Sequence, residues 1–435
     1  MIRNFLTNLR SEYRSYSHFE KLFIFYIMLC SFLITGEASI TRATANSVFL
    51  STYTVKLFPL VWLTSVPLNF LIVSFYNLFL PKLGCIRMLI LSICLAFCIN
   101  LFSAFYLTSF SFLPFLLYLW KDIFIILMFQ QLWSVIHATI NIDRAKYLYG
   151  IFFGMGGLGS VVGSLVPGFL AVRLGSEKLL LITLPFYLLI CLCYCLALQK
   201  REKIAFRQDI SSLSSDSTDI LGGIKLIHHS TFLKFILFIV VAMQLTSTLM
   251  DFQFCTLLEK EFAVQDLRTQ FLGRFFGIVN MINVFLQFIG SFVLLRLIGL
   301  RATHLFVPIL LGLNTLGFLI WPTFRMMGYA FGTIKCLDYS IFGIIKEMLY
   351  IPLKVEEKFK AKAIIDVFAY RTSKAFASIV ILLLQMVPWI PLTMLISWGV
   401  VSIFVLWVFS ILLLFKFYER EVERQHLNWP QSLPV

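Results

Sequence analysis

Twelve runs of apolar residues, each long enough to cross a lipid bilayer, dominate this sequence of 435 residues. A membrane-spanning helix needs about 20 apolar residues in succession, and 60% of the chain is hydrophobic whereas 13% is charged. The charged share is about half that of a soluble domain, so a water-soluble globule, a coiled coil and a disordered chain are excluded. The runs lie at residues 21–48, 57–80, 87–107, 112–139, 149–172, 178–198, 232–256, 270–296, 303–323, 326–350, 363–387 and 392–415.

Basic residues indicate which ends of these runs face the cytoplasm. Lys and Arg number 36 against 22 Asp and Glu, and the excess lies mainly in the N-terminal tail, the even-numbered loops and the C-terminal tail. Loops rich in Lys and Arg stay on the cytoplasmic side of a membrane. We therefore expect both termini to be cytoplasmic, in a bacterial inner membrane, with the first run kept as a span rather than cleaved as a signal. Orientation accounts for the net charge of +14, so no nucleic-acid partner is expected.

The longest polar stretch, residues 199–219, divides the chain near its middle. It holds a basic cluster followed by serines, which is typical of a linker. The sequence thus predicts an all-α membrane protein with twelve transmembrane helices in two six-helix halves. The expected parts are a cytoplasmic tail (1–20), an N-terminal half (21–198), a cytoplasmic linker (199–231), a C-terminal half (232–415) and a second cytoplasmic tail (416–435).

The two halves also repeat each other. A shift of 216 residues superposes two pairs of charged residues, Asp122 with Lys146 and Asp338 with Lys362. The short basic turns that contain Gly84 and Gly299 resemble each other as well. Two related six-span halves are the layout of major-facilitator carriers, whose substrate binds near mid-membrane. A major-facilitator-like fold is therefore expected by analogy.

Charged side chains interrupt the first, fourth, seventh and tenth runs. An ionisable group inside a bilayer costs at least about 2.5–3.5 kcal/mol on insertion scales, so it normally faces a partner or a watery cavity. These four runs line the central cavity of a carrier with two six-span halves, so the charges predict a polar cavity. The alternative is that the charges pair with one another and only hold the protein together. The candidate substrate-binding residues are Arg42, Lys121, Asp122, Gln131, Asp251, Lys335 and Asp338.

Further polar residues are candidates for coupling or gating. Glu37 lies in the first run. His137 lies near the expected cytoplasmic end of the fourth run, and it could relay protons or be a hydrogen-bonded structural residue. The others are nearer the cytoplasmic edge, where snorkelling or loop salt bridges are the alternative explanation. The set is Glu37, His137, Glu347, Lys362, Asp366, Arg371 and Lys374.

Other motifs argue against an enzyme. Gly154, Gly156 and Gly159 spell GxGxxG, but no strand precedes them and an apolar run surrounds them, which disfavours a dinucleotide site. Gly159 and Gly163 form GxxxG, which is typical of close helix contact in lipid. No GxxxxGK[ST] motif occurs, so transport should be secondary rather than driven by ATP hydrolysis. The nine Cys lie mostly in apolar runs and are interpreted as small hydrophobic residues, so no metal and no cofactor are expected.

Short strings in both halves resemble the ATP/ADP translocases of plastids and obligate intracellular bacteria. In the second half they are Glu-Met-Leu-Tyr-Ile-Pro-Leu at 347–353 and Lys-Ala-Lys-Ala-Ile-Ile-Asp-Val at 360–367, followed by Arg371 and Lys374. In the first half they are Ile-Thr-Arg at 40–42, residues 57–62, Trp133 and Asp-Arg-Ala-Lys-Tyr-Leu-Tyr at 143–149. The resemblance implies a twelve-span, major-facilitator-like exchanger of ATP for ADP, or a nucleotide importer, with phosphate-binding Lys and Arg in its cavity.

The chain departs from this family pattern at four positions. Ala45 and Cys255 stand where the family has Lys, and Gln131 and Asp251 stand where it has Glu. Three deep cations then face four deep carboxylates, so the formal charge of the deep set is −1. A nucleotide brings several negative charges, and each should be met by a cation in a low-dielectric cavity.

The leading expectation is a secondary transporter that works by alternating access, as a functional monomer, with nucleotides as substrate in the manner of ATP/ADP exchange. One alternative is a carrier of a less anionic metabolite, such as a nucleoside, a lipid head group or a cationic or zwitterionic solute. In that case a carboxylate could take up a compensating proton. The alternative of another class is a non-transporting membrane sensor or scaffold.

Overall fold

The computed structural model describes residues 16–140, 142–204, 220–353, 361–362, 364–365, 369–387 and 391–427. Over these residues the backbone forms helices and no strand. A 3-10 turn lies at Val55–Leu57, and π-helical turns lie at Leu286–Gly290 and Asp338–Phe342. The α-helices are α1 (His18–Tyr53), α2 (Phe58–Tyr106), α3 (Phe112–His137), α4 (Ile142–Leu174), α5 (Leu179–Arg201), α6 (Ile220–His229), α7 (Thr231–Glu261), α8 (Gln265–Phe285), α9 (Ser291–Ile320), α10 (Phe324–Leu337), α11 (Gly343–Leu349), α12 (Tyr370–Gln385) and α13 (Leu392–Leu427).

Nine helical stretches in the described ranges are long and apolar enough to cross a membrane. The described part of the chain is therefore all-helical and has several candidate spans, whereas the number of twelve stays a prediction. The tenth expected run, 326–350, is interrupted by the π-turn at Asp338–Phe342. The eleventh, 363–387, lies partly outside the residues that the structure describes.

Glycines kink α2 and α9 at corresponding places. Because α2 has 49 residues, a straight helix would be about 74 Å long, more than twice the roughly 30 Å of a bilayer core. Gly84 in α2 has φ 77° and ψ 162°, and Gly299 in α9 has φ 78° and ψ 172°. Glycine alone adopts this backbone conformation without strain. The two turns share one conformation, which confirms the similarity predicted between them.

Replacing Gly84 or Gly299 with alanine is expected to destabilise the protein by about 1–3 kcal/mol at each site, because a side chain strains this backbone conformation. Steric overlap is not the cause, since a Cβ added at either glycine meets no atom within 4 Å. The measurement is thermal unfolding of each purified variant in detergent. The matched control is Gly328→Ala, because a Cβ there also has open space but stands on a helical backbone. Equal unfolding temperatures in the three variants would contradict this prediction.

Contacts divide the chain into two compact units. Unit 1 comprises the described residues of Met1–Thr54, Pro67–Ser217 and Phe262–Val284, and unit 2 comprises those of Val55–Val66, Thr218–Glu261 and Phe285–Val435. In unit 1, α1 is the central helix and packs against α3, α4 and α5. In unit 2, α7 takes that place and packs against α10, α12 and α13. The units differ from the expected halves in residues 55–66 and 262–284, and the division into six-helix halves stays a prediction.

Small residues bring α1 and α4 into backbone contact in unit 1. A Cβ added to Gly159 would overlap the carbonyl group of Phe32, and a Cβ added to Gly163 would overlap the backbone of Gly36. Larger residues at these positions of α4 would therefore push the helices apart. This arrangement confirms the close helix contact predicted from the GxxxG motif.

Polar contacts at its first turn attach α8 to the rest of unit 1. Asp266 Oδ1 accepts two hydrogen bonds from Ser176, one from the backbone nitrogen at 2.8 Å and one from the hydroxyl at 2.5 Å. Ser47 of α1 donates to the carbonyl of Gln265 at 2.7 Å, and Arg268 donates to the carbonyl of Ser47 at 3.2 Å. An acidic residue is favoured in the first turn of a helix. The same few residues thus begin α8 and fix it to α1 and to the turn before α5.

Candidate functional site

A lysine on α3 of unit 1 is buried beside a carboxylate and an aromatic ring. Lys121 is 8% exposed, and its ammonium lies 2.9 Å from Asp122 Oδ1 and 4.0 Å from the ring centre of Tyr118. Tyr118 precedes Lys121 by three residues, so their side chains share a face of α3. The ring and the carboxylate together stabilise a cation that a bilayer would otherwise disfavour.

Arg42 lies on α1 of unit 1 and is half-buried. Its guanidinium makes no hydrogen bond or ion pair with the part of the chain that the structure describes. An arginine inside a span is unfavourable unless it meets an anion or water. Its planar set of donors matches the paired oxygens of a phosphate or a carboxylate. Arg42 is therefore a cation available to an anionic ligand.

Glu37 lies on α1 and joins three helices of unit 1. Its Oε1 accepts hydrogen bonds from the hydroxyls of Thr41 and Tyr187, both at 2.6 Å, and from Asn100 Nδ2 at 3.3 Å. Thr41 is one turn further along α1, Asn100 is on α2 and Tyr187 is on α5. The carboxyl group is thus surrounded by neutral hydrogen-bond donors.

A second set of polar side chains lies where α7 and α10 pack together in unit 2. Lys335 Nζ is 3.0 Å from Ser247 Oγ and 3.8 Å from Asp251 Oδ2. Gln244 Nε2 donates to both carboxylate oxygens of Asp338, at 3.1 and 3.3 Å. Helical periodicity explains the grouping. Successive members on α7 are three and four positions apart, and Lys335 and Asp338 are three positions apart, so each set lies on one face of its helix. We call these five residues the unit 2 cluster.

Irregular backbone carries one member of the unit 2 cluster. Asp338, which is 7% exposed, opens the π-helical turn Asp338–Phe342. Such turns often occur at functional sites. The carbonyl of Tyr339 accepts a hydrogen bond from Gln287 Nε2 at 2.7 Å, and the Ser340 hydroxyl donates to the carbonyl of Cys336. Polar side chains thus satisfy the irregular backbone around Asp338.

Two of the gating candidates form an ion pair in unit 2. Lys362 Nζ lies 2.5 Å from Glu347 Oε2, and their side chains are 36% and 43% exposed. Exposed ion pairs contribute about 0–1 kcal/mol, so this pair could open and close at little cost. A role in gating stays a prediction. A third candidate, Asp366, lies outside the residues that the structure describes.

The remaining coupling candidates are scattered. His137 ends α3 and its ring centre lies 5.8 Å from that of Trp133, on which it stacks. Lys374 lies 5.6 Å from the ring centre of Trp62, both in unit 2. Arg371 is half-buried on α12. His137 and Lys374 thus each contact an aromatic ring, and a role of the three residues in coupling stays a prediction.

The side chain of Gln131 is hydrogen-bonded to the backbone of α2. Its side chain is fully buried on α3, and its Nε2 donates to the carbonyl of Cys85 at 2.7 Å. Cys85 directly follows the kink at Gly84, so this amide supports the irregular part of α2. Gln131 also lies nine residues beyond Asp122, which is about 2.5 helical turns and therefore a different face. The structure thus does not group Gln131 with Lys121 and Asp122.

Sequence reasoning missed the uncharged partners. Asn100 and Tyr187 surround Glu37, and Gln244 and Ser247 belong to the unit 2 cluster. A signal was present for the amides, because Asn100 and Gln244 each stand within a run of apolar residues. A buried amide needs a hydrogen-bond partner, so an amide within an apolar run indicates a polar contact, as a charge does.

These side chains are suited to binding an anionic group. Lys121, Arg42 and the unit 2 cluster place cations in weakly hydrated surroundings, where an anionic group is bound strongly. Among the described residues, no group of three or more His, Cys, Asp and Glu side chains could hold a metal ion.

Comparison with known sequences relates the chain to nucleotide carriers. Residues 326–418, which include Lys335 and Asp338, match the TLC ATP/ADP transporter family. ADP,ATP carrier protein 1 of Chlamydia muridarum is 24% identical over 64% of this chain and 58% of that protein. The corresponding protein of Chlamydia trachomatis is 24% identical over 60% and 56%. ADP,ATP carrier protein 3 of Rickettsia felis is 31% identical over 25% of each chain. The chain thus matches less than two thirds of the length of these relatives.

Solved structures of transporters share the fold. The nucleoside transporter NupG has a TM-score of 0.61 at 13% identity, over 91% of this chain and 99% of that chain. A D-xylose-proton symporter has a TM-score of 0.60 at 13% identity, over 92% and 98%. A bacterial homolog of the lysosomal transporter Spinster has a TM-score of 0.58 at 11% identity, over 96% and 100%. The chain therefore shares the helical fold of these transporters and is an integral, multi-pass membrane protein.

Proposed function

We propose that the chain is a secondary transporter that moves adenine nucleotides across the membrane by alternating access, as a divergent relative of the ATP/ADP translocases. The family match, which includes Lys335 and Asp338 of the unit 2 cluster, and the ADP,ATP carriers among its relatives support this proposal. The transporter fold supports the class of function. The finer topology belongs to the same proposal: two six-helix halves, cytoplasmic termini, a functional monomer and a bacterial inner membrane.

The half-buried Arg42 carries the proposal. A cation in a span without a counter-ion is unfavourable, and an anionic substrate would remove that cost. A guanidinium can donate two parallel hydrogen bonds to one phosphate group, which makes it well suited to nucleotides. The protein's own carboxylates leave Arg42 free for such a ligand within the described ranges.

The unit 2 cluster supports the same proposal. The distance of 3.8 Å from Lys335 to Asp251 is longer than the about 2.7–2.9 Å of a direct charged hydrogen bond. The ammonium has three donors, and the Ser247 hydroxyl at 3.0 Å is one neutral contact. The Lys335 ammonium thus lies beside a hydroxyl and a carboxylate, a polar setting in which a phosphate oxygen could bind.

A less anionic metabolite is the second candidate, and a specific observation favours it. Lys121 lies within hydrogen-bond distance of Asp122, and Lys335 lies within ion-pair distance of Asp251. Each lysine thus already has a carboxylate that offsets part of its charge. A zwitterionic or cationic solute could use the carboxylate of each pair as well as the ammonium.

Uptake of α-labelled ATP into intact bacterial cells that express the chain tests the proposal. We expect uptake above that of cells with an empty vector, competition by excess unlabelled ATP or ADP, and efflux of label when ADP is added outside. Uptake, competition and efflux all depend on recognition of the phosphates, for which we propose the cations.

A lack of uptake by protein that reaches the membrane would contradict nucleotide transport. The same cells would then be tested with labelled nucleosides and zwitterionic solutes. Uptake of one of these would support the second candidate, and uptake of none would favour a sensor or scaffold.

A further inference from the structure

The carboxyl group of Glu37 is not used by the proposed binding residues. It is 1% exposed, and α1 places it well inside the first apolar run. All three of its hydrogen bonds go to Oε1, whereas Oε2 is buried and has no hydrogen-bond partner in the described part of the chain. The two oxygens of one carboxyl group therefore have different surroundings.

The groups that face Glu37 from the packed helices are neutral. Thr41 faces it from α1, Asn100 from α2 and Tyr187 from α5. Tyr187 is the titratable group among them, and its hydroxyl donates to Oε1 rather than bringing a positive charge. Beside Glu37, α4 presents a glycine where it crosses α1.

Charged residues nearby do not neutralise Glu37. On α3, Lys121 lies against its own neighbour Asp122. Arg42 lies on α1 five residues beyond Glu37, which at 100° per residue places it on a different side of the helix. Within the described ranges, no Lys, Arg or His side chain forms an ion pair with Glu37.

A negative charge at this position would be costly. The charge on Oε2 would meet neither a donor nor a cation, and burial of an uncompensated charge is strongly unfavourable in a bilayer. Binding of one proton from water converts the carboxylate to a neutral carboxylic acid and changes no other bond. We propose that Glu37 binds a proton at Oε2 in this conformation and releases it when the transport cycle brings water to the carboxyl group. Transport would then be coupled to protons.

Hydrogen bonds link the proton site to the arrangement of unit 1. Asn100 Nδ2 also contacts the hydroxyl of Tyr187 at 2.6 Å and that of Thr183 at 2.9 Å. The network therefore joins α1, α2 and α5, and a movement of any one of them would change the surroundings of the carboxyl. A proton bound more tightly in one conformation than in another shifts the equilibrium between them. The coupling role rests on the proposed transport function, but the proton itself does not.

Infrared spectroscopy of the purified protein tests for the proton without any substrate. We expect a C=O stretching band of a protonated carboxyl group at neutral pH, which Glu37→Gln abolishes. Glu261→Gln, at the exposed end of α7, is the matched control and should leave the band unchanged. If Glu37→Gln does not accumulate, Glu37→Asp should instead shift the frequency of the band. Absence of the band in the unchanged protein, or a band insensitive to both Glu37 variants, would overturn the proposal.

Transport in proteoliposomes tests the coupling. An inward proton gradient should stimulate labelled ATP uptake by the unchanged protein, whereas uptake by Glu37→Gln should no longer respond to the gradient. A gradient response that survives in Glu37→Gln would overturn coupling through this residue. If ATP is not transported at all, the proposed function fails, and the infrared result still decides whether Glu37 carries a proton.

Discussion

Glutamine in place of Arg42 is expected to weaken the apparent affinity for ATP in uptake by roughly tenfold to hundredfold. Arg42 is half-buried on α1 and has no protein counter-ion among the described residues, so its charge is available to a phosphate group. Loss of a hydrogen bond to a charged group costs about 1.5–3 kcal/mol, which is roughly a tenfold to hundredfold loss of affinity. The measurement is the concentration dependence of ATP uptake, normalised to the amount of protein in the membrane.

Two further variants make the Arg42 result specific. Arg42→Lys keeps the charge but loses the planar set of donors, so we expect activity between that of the unchanged protein and that of Arg42→Gln. Arg325→Gln is the matched control, because Arg325 is exposed at the start of α10 and should leave uptake unchanged. Normal uptake by Arg42→Gln would show that this cation does not contact the substrate.

Alanine at both Gly159 and Gly163 is expected to prevent stable folding of unit 1. Each new Cβ would overlap backbone atoms of α1 at Phe32 or Gly36, and backbone cannot move aside as a flexible side chain can. Overpacking of this kind costs about 1–3 kcal/mol per site, and the helices must separate to relieve it. The measurement is the yield and the thermal unfolding temperature of the detergent-purified double variant.

A change from glycine to alanine does not by itself destabilise a helix. Alanine has a higher helix propensity by about 0.8–1.0 kcal/mol, and a Cβ added to Gly399 on α13 meets no atom within 4 Å. Gly399→Ala is therefore expected to be at least as stable as the unchanged protein. If the double variant unfolded at the same temperature as Gly399→Ala, the close contact between α1 and α4 would have no energetic importance.

The sequence was informative about charges and much less so about their partners. The cost of burying a charge marked Lys121, Asp251, Lys335 and Asp338, and the structure places the last three in one cluster. Lys121 lies beside Asp122 and Lys335 beside Asp251, whereas whether these charges bind a substrate or only hold the protein together stays a prediction. Contacts within one helix can be predicted from the sequence, because helical periodicity determines which side chains lie on the same face.

Contacts between distant parts of the chain could not be predicted in this way. Gln131 was expected in the substrate cavity, but its amide supports the kink after Gly84. Hydropathy shows that an amide is buried and does not show which carbonyl it meets. The π-turn at Asp338–Phe342 was equally hidden, because its sequence is compatible with an ordinary α-helix. The GxxxG contact was predictable because glycine spacing on one helix is sufficient to identify a close crossing.

The attachment of α8 has a consequence for how the gene can be divided. Asp266 is hydrogen-bonded to Ser176, and Gln265 and Arg268 to Ser47, although some 90 and 220 residues separate these partners in the sequence. Two fragments cut in the polar linker would therefore each lack a piece of the contact surface. The first fragment would leave Ser47 and Ser176 without these partners, and the second would carry α8 without its packing surface. Co-expressed fragments would therefore have to associate before unit 1 could be complete.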